Sequence, residues 1–298
     1  MDQQSRMYYL RISKARRARR QVVSVAIAAL LLVAMSVGVL ACNSHTSVLK
    51  VTGIPLLVPA TTGSTAGIDD TRTLELVNRE FATGAAPESS LIVPAISQVQ
   101  VLTADVTLDS RALAAVSSLF AAAGAEGFDR LYVSSGFRSY AEQRDIYNEA
   151  RGASYVSPPG FSEHETGLAV DIMVEGVDQY LLGHSREGQW LQENSWRFGL
   201  ILRYPEEKPS ITGIAYEPWH FRYVGLVHAY YCYANDLCLE EYISLLKDRG
   251  GYGINLNGID YSVLYVWSPD DIDELVEGVP HEVSGDNTGG YIVTTWVA

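Results

Sequence analysis

Ser162-Glu163-His164-Glu165-Thr166-Gly167-Leu168-Ala169-Val170-Asp171, followed downstream by Glu217-Pro218-Trp219-His220, are the segments on which the reading of this chain turns. The pattern around Asp171 predicts a strand over residues 168–174 that carries this aspartate inward among apolar neighbours. A charged residue in such company needs a partner or a metal. The second segment falls in a predicted strand over residues 214–223, where Pro218 marks an edge or an interruption. Two histidines and an aspartate thus become available, with Glu217 three residues before His220. Three N/O ligands leave a fourth position open, which is what separates a catalytic zinc site from a structural one. The spare Glu217 would then be the base for a metal-held water. Either segment alone is weak, since such spacings are common by chance. In this order, with glycine and small residues between the first two ligands, the pair is much stronger. His164-Glu165 does not open a His-Glu-x-x-His helix, because the position four after His164 is Leu168.

A third segment, Ser134-Ser135-Gly136-Phe137-Arg138-Ser139-Tyr140-Ala141-Glu142-Gln143, joins the Ser-x-His-x-x-Gly-x-Ala-x-Asp run and Glu217-Pro218-Trp219-His220-Phe221-Arg222-Tyr223-Val224-Gly225. Together they resemble the VanY-type D-alanyl-D-alanine carboxypeptidases, zinc peptidases of bacterial cell-wall metabolism. The resemblance covers roughly residues 75–247. It implies one Zn2+ on His164, Asp171 and His220, with Glu217 as catalytic base. It implies that Arg138 binds the substrate, with Gln143 and Ser162 beside it. The implied reaction is removal of the terminal D-alanine from peptidoglycan stem peptides. An L,D-carboxypeptidase, a D,D-dipeptidase and a non-catalytic zinc-containing binding domain remain as alternatives. The implied fold is α+β: a small, mostly antiparallel sheet with helices packed against it and the zinc site at the sheet face. Phe137 departs from the family, where tyrosine is frequent; both are aromatic.

Outside these motifs the chain is acidic. Its formal net charge is −13, yet residues 1–20 hold seven Lys or Arg against Asp2. The folded part therefore carries the opposite bias to a nucleic-acid binder. Residues 21–41 contain no charge and, at about 1.5 Å per residue, suffice to span the roughly 30 Å hydrocarbon core. The preceding Arg16, Arg17, Arg19 and Arg20 predict a cytoplasmic amino end. We expect a single-pass membrane anchor, with a lipoprotein attached through Cys42 and a cleaved leader as alternatives. All three place the remainder outside the cytoplasm, where its partner would be peptidoglycan. The expected organisation is a basic segment over 1–20, an anchor over 21–41 and a stalk over 42–73. A zinc peptidase domain over 74–249 and an acidic β-rich extension over 250–298 follow.

Along the chain, Leu108-Asp109-Ser110 opens a helix with Leu113, Val116, Leu119 and Phe120 on one face. Residues 130–134 read as a strand, and Ser139-x-x-Glu142 is a capping box that starts a helix. Arg138 therefore sits at a strand-to-helix turn. Residues 189–198 predict a helix stopped by Gly199, residues 200–204 a strand, and residues 226–234 and 239–247 helices. Cys232 and Cys238 would either pair or remain buried thiols. Arg222, two residues from His220, is a rival cation to Arg138 or a structural ion pair. Trp219 would wall the cleft or pack in the core. In the extension, strands are expected over 261–267 and 291–297, with a turn over 284–290.

Overall fold

The computed structural model describes residues 49–51, 70–84, 87, 91–151 and 156–297. The basic segment, the anchor, Cys42 and most of the stalk lie outside them. Among the described residues no helix is long and apolar enough to cross a membrane.

In chain order the elements begin with β1 (Leu49–Val51), β2 (Ile92–Pro94) and β3 (Thr107–Asp109). Helix α1 (Ser110–Ala125), β4 (Leu131–Ser135), α2 (Tyr140–Glu149) and β5 (Ala169–Val174) follow. Then come α3 (Arg186–Asn194), β6 (Leu200–Leu202), α4 (Pro209–Thr212) and β7 (His220–Tyr223). Helices α5 (Leu226–Asn235) and α6 (Leu239–Arg249) lead to β8 (Gly251–Leu256), β9 (Ile259–Val266), α7 (Ile272–Val276), β10 (His281–Gly285) and β11 (Tyr291–Val297).

Three strand groups form among the described residues, and one of them positions the site. It is a four-stranded sheet in the order β4-β5-β7-β6, antiparallel throughout. Strand alternation divides its residues between two faces. Val170, Ile172 and Phe221 join Leu113, Val116 and Leu119 of α1 in one apolar core. Asp171 and His220 take the other face, and the β5–β7 register sets them directly opposite each other. Helix α1 is capped by the Asp109 side chain, which accepts from the Arg111 N–H. A buried cap of this kind stabilises a helix by about 1 kcal/mol.

A second core spans the expected boundary at residues 249 and 250. Leu239, Tyr242 and Leu246 of α6 pack with Ile254 of β8, Val263 of β9 and Ile292 of β11, and with Leu74 and Ile201. The five-stranded sheet that supplies these strands runs β1-β8-β9-β11-β10. The extension thus contains four strands and a short helix rather than the two strands expected. Residues 214–219 are not strand, so β7 begins only at His220. Cys232 on α5 and Cys238 at the N-cap of α6 are both buried free thiols.

Candidate metal centre

Asp171 lies between two strands that each bring it a partner. On one side Ser135 of β4 is its register neighbour, after an irregularity in β4; on the other is His220 of β7. His164 comes from a short 3-10 helix, Glu163–Thr166, which Gly167 ends in the left-handed conformation at φ 74°. Two backbone links fix this turn to the loop after β4. The Gly136 carbonyl lies 2.7 Å from His164 Nδ1, and the Arg138 N–H donates to the His164 carbonyl at 3.1 Å. Gly136 is a place of close approach: a Cβ there would stand 2.2 Å from the Thr107 carbonyl oxygen.

One donor atom from each of His164, Asp171 and His220 lies within 4.8 Å of the others. The hydrogen bonds decide which atoms these are. A carbonyl oxygen only accepts, so His164 Nδ1 carries the proton and leaves Nε2 free; Nε2 stands 3.4 Å from Asp171 Oδ2. His220 presents Nδ1 to Asp171 Oδ1 at 3.0 Å and Nε2 to Glu163 Oε2 at 3.4 Å. Two imidazole nitrogens and one carboxylate oxygen, each backed by an acceptor or a strand neighbour, are a donor set that fits zinc.

Glu217 stands beside this set. Its Oε2 is 3.9 Å from His220 Nδ1, and its carboxylate makes no hydrogen bond among the described residues. The peptide N–H of Glu217 donates to the Tyr204 carbonyl, and the His220 N–H donates back to the Glu217 carbonyl. Glu217 and Pro218 therefore form a turn that delivers the chain into β7, which is why the strand is shorter than its sequence suggests. Pro218 has no N–H to give to a ladder.

Arg138 reaches the same space from the β4–α2 turn. Its Nε donates to Ser135 Oγ at 3.1 Å, one terminal nitrogen to Gln143 Oε1 at 2.9 Å, and the other to Asp171 Oδ2 at 3.5 Å. Gln143 is itself held through its amide, which donates to the Ser157 carbonyl at 2.7 Å. Ser162 joins these residues around a cavity of about 330 Å³, with Trp219 on its wall. Trp219 also meets the exposed Tyr180 ring edge-on, at 5.6 Å between centroids. The seven site residues read from the sequence thus line one cavity. Arg222 does not. It is fully buried behind the site and donates to Glu163 Oε1 and to the Thr73 and Glu75 carbonyls.

The electrostatics divide the carboxyls. Burial pushes Glu217 up to about 7, against the pull of His220 and with the help of Asp171. Burial acts the same way on Asp171, but His164 and His220 outweigh it and hold that carboxyl well below its usual range. Burial and the Arg138 charge push His164 down to about 4. For His220 burial is overcome by hydrogen bonds to Asp171 and Glu163, which raise it to about 9. Glu163, buried yet flanked by Arg203 and Arg222, stays far below the ordinary glutamate value.

Glu163, Arg203, Tyr204 and Ser135 touch these groups and were not singled out in the sequence. Glu163 precedes a ligand candidate, but adjacency on a strand or turn usually sends side chains apart. Arg203 is distant in sequence and carries no motif. Tyr204 packs against His220 with its ring tilted, at 4.9 Å between centroids, a contact only the folded chain reveals.

Comparison with known proteins places the chain in a family. The profile described as VanY, D-alanyl-D-alanine carboxypeptidase, matches residues 105–226. A D-alanyl-D-alanine carboxypeptidase of Enterococcus faecium is 39% identical over 171 residues, 57% of this chain and 55% of that protein. This chain therefore spans only about half the length of that relative. A D-alanyl-D-alanine carboxypeptidase of Enterococcus faecalis is 36% identical over 229 residues, 67% of this chain and 83% of that protein. Among solved structures, the vancomycin-resistance D,D-dipeptidase VanXYg in complex with a D-Ala-D-Ala phosphinate analogue is similar at a TM-score of 0.66 and 27% identity. That match covers 76% of this chain and 94% of the other.

Proposed function

The chain belongs to the VanY family of D-alanyl-D-alanine carboxypeptidases, and from that membership we propose that it removes the terminal D-alanine of peptidoglycan stem peptides by zinc-dependent hydrolysis. The observation that carries this reading is the pairing of three gathered donors, His164, Asp171 and His220, with a second carboxylate, Glu217, that accepts no hydrogen bond among the described residues. When bound there, a zinc ion supplies a Lewis acid that polarises the scissile carbonyl and acidifies water.

The chain's own groups do the rest. Glu217 takes a proton from the attacking water and passes it to the departing amine of D-alanine. A carboxyl near neutrality is suited to both halves of that transfer. Arg138 receives the terminal carboxylate of the substrate, a bidentate task that fits a guanidinium. Ser135 and Gln143 hold that guanidinium in place, and Ser162 lines the same cavity. A cavity of about 330 Å³ is of a size to take the end of a peptide.

The test is mass spectrometry of a D-Ala-D-Ala-ended pentapeptide after incubation with the protein, with and without a chelator. Loss of a single alanine that stops on chelation supports the proposal. A second reading, favoured by the likeness to VanXYg, is a D,D-dipeptidase acting on free D-Ala-D-Ala. Turnover confined to the dipeptide would favour it. Turnover confined to a tetrapeptide would make this an L,D-enzyme. No turnover of any of the three by zinc-saturated, folded protein overturns the reading.

A further inference from the structure

Behind the metal centre lies a buried charge network that the mechanism does not use. The Glu163 carboxylate is fully buried, with its two oxygens facing different partners. Oε1 accepts from Arg203 Nε at 2.7 Å and from Arg222 at 3.1 Å. Oε2 is left for His220 Nε2 at 3.4 Å. Both arginines are themselves anchored. Arg203 is bidentate to Glu240, the second residue of α6, at 2.8 and 2.7 Å. Arg222 is held by the Thr73 and Glu75 carbonyls at 3.1 Å each.

These anchors are in turn tied to the C-terminal strands. Residues 71–76 are stitched along β10 and the turn after it. The Leu74 N–H donates to Ser284 Oγ, the Leu76 N–H donates to the Asp286 carbonyl, and Asn287 donates to the Leu76 carbonyl. Helix α6 shares the second core with β8, β9 and β11. Two independent routes therefore run from the extension to one carboxylate.

We propose that Glu163 is the positioning residue of His220, and that the 250–298 strands serve as its buttress. The inference rests on the reading of His164, Asp171 and His220 as a zinc site. By accepting from Nε2–H, Glu163 fixes the imidazole ring and reserves Nδ1, the nitrogen beside Asp171, for the metal. Partners of this kind orient a ligand and raise its basicity. The arginines specify which oxygen does this. In Glu163→Gln they would claim the amide oxygen and turn the NH2 group toward His220, setting a donor against a donor.

The test measures zinc affinity of the full chain by competition with a chromophoric chelator, together with the visible spectrum of the cobalt(II)-loaded protein. Glu163→Gln should bind zinc roughly 10- to 100-fold more weakly and change the cobalt spectrum while the circular dichroism stays that of the parent. Parental affinity with a parental spectrum overturns the assignment. If Glu163→Gln does not fold, Glu240→Gln decides. It lies outside the cavity, so a loss of about threefold or more in zinc affinity supports the buttress, and parental affinity overturns it. A parent chain that takes up no zinc overturns the proposed function, and this assignment falls with it. A parent that binds zinc beside an unaffected variant overturns this assignment alone.

Discussion

Glu217 is a carboxyl that its surroundings hold near neutrality, and this has a cost in the zinc-free protein. Its folded value of about 7 lies above the ordinary glutamate range. Between those two values the folded chain binds more protons than the unfolded one, so stability falls as pH rises through that window. At pH 8 the penalty is on the order of 3 kcal/mol at most, taking about 1.4 kcal/mol per pH unit. Zinc-free Glu217→Gln should therefore melt several degrees above the zinc-free parent at pH 8, and the gap should shrink at pH 5. Equal melting points at pH 8 contradict this. The same variant should keep its zinc and lose about 100- to 10,000-fold in kcat. Loss of zinc on dialysis from folded Glu217→Gln would show that the glutamate is a ligand instead. Arg138 bears on chain-end recognition. Removing one member of a desolvated charge pair costs about 2–5 kcal/mol, or about 30- to several-thousand-fold. Arg138→Ala should lower kcat/KM on a free-carboxylate substrate by that order while keeping zinc. An amidated substrate should already be poor and suffer much less from the mutation. Equal damage to both would assign Arg138 to the scissile carbonyl. The seven residues named from the sequence and gathered at the cavity were legible because each is a chemically distinctive type inside a motif. Glu163 and Arg203 were not, because their meaning lies in contacts between segments 40 positions apart.

At the scale of elements, the capping box of α2 and the short loop before it make a useful contrast. Ser139 accepts from the Glu142 N–H and the Glu142 carboxylate accepts from the Ser139 N–H, as the sequence pattern anticipated. Ser139→Ala should cost about 1 kcal/mol without changing zinc affinity. Gly136→Ala should behave differently. Its Cβ would meet the Thr107 carbonyl at 2.2 Å and Leu108 at 3.1 Å, so the loop must shift. That shift moves the carbonyl on His164 Nδ1. We expect about 1–3 kcal/mol of destabilisation and weaker zinc binding, read by calorimetry and chelator competition. Unchanged zinc affinity would show that the carbonyl does not govern His164. The helix over 186–194 begins earlier than its apolar residues indicated, because Ser185 caps it through the Gly188 N–H. Strand β7 is shorter than the β-type side chains of Ile214 and Tyr216 suggest. The turn at Glu217-Pro218 overrides them.

Over the whole molecule, the two cores explain why the extension was only half legible. The strands over 259–266 and 291–297 are rich in β-branched and aromatic residues. Strand β8 opens Gly251-Tyr252-Gly253, and β10 carries Glu282 and Ser284, so neither has a strand-like composition. Their pairing partners, far along the chain or across a turn, decide their state. The uncharged run over 21–41 after a basic cluster leads us to propose that the domain works outside the membrane. Protease added to intact spheroplasts should then digest the chain beyond residue 42 and spare the amino end; protection of the domain would refute it. Such a location would be oxidising, which gives the two buried thiols a further meaning. Burial pushes the Cys238 thiol up to about 12 and Cys232 higher still. The reactive species is the thiolate, so both sulfurs are chemically silent while buried, Cys232 within the second core itself. Cys232 becomes a clock on that core. Alkylation of Cys232 proceeds no faster than the core opens, and peptide masses after timed labelling would read its lifetime without any engineered residue.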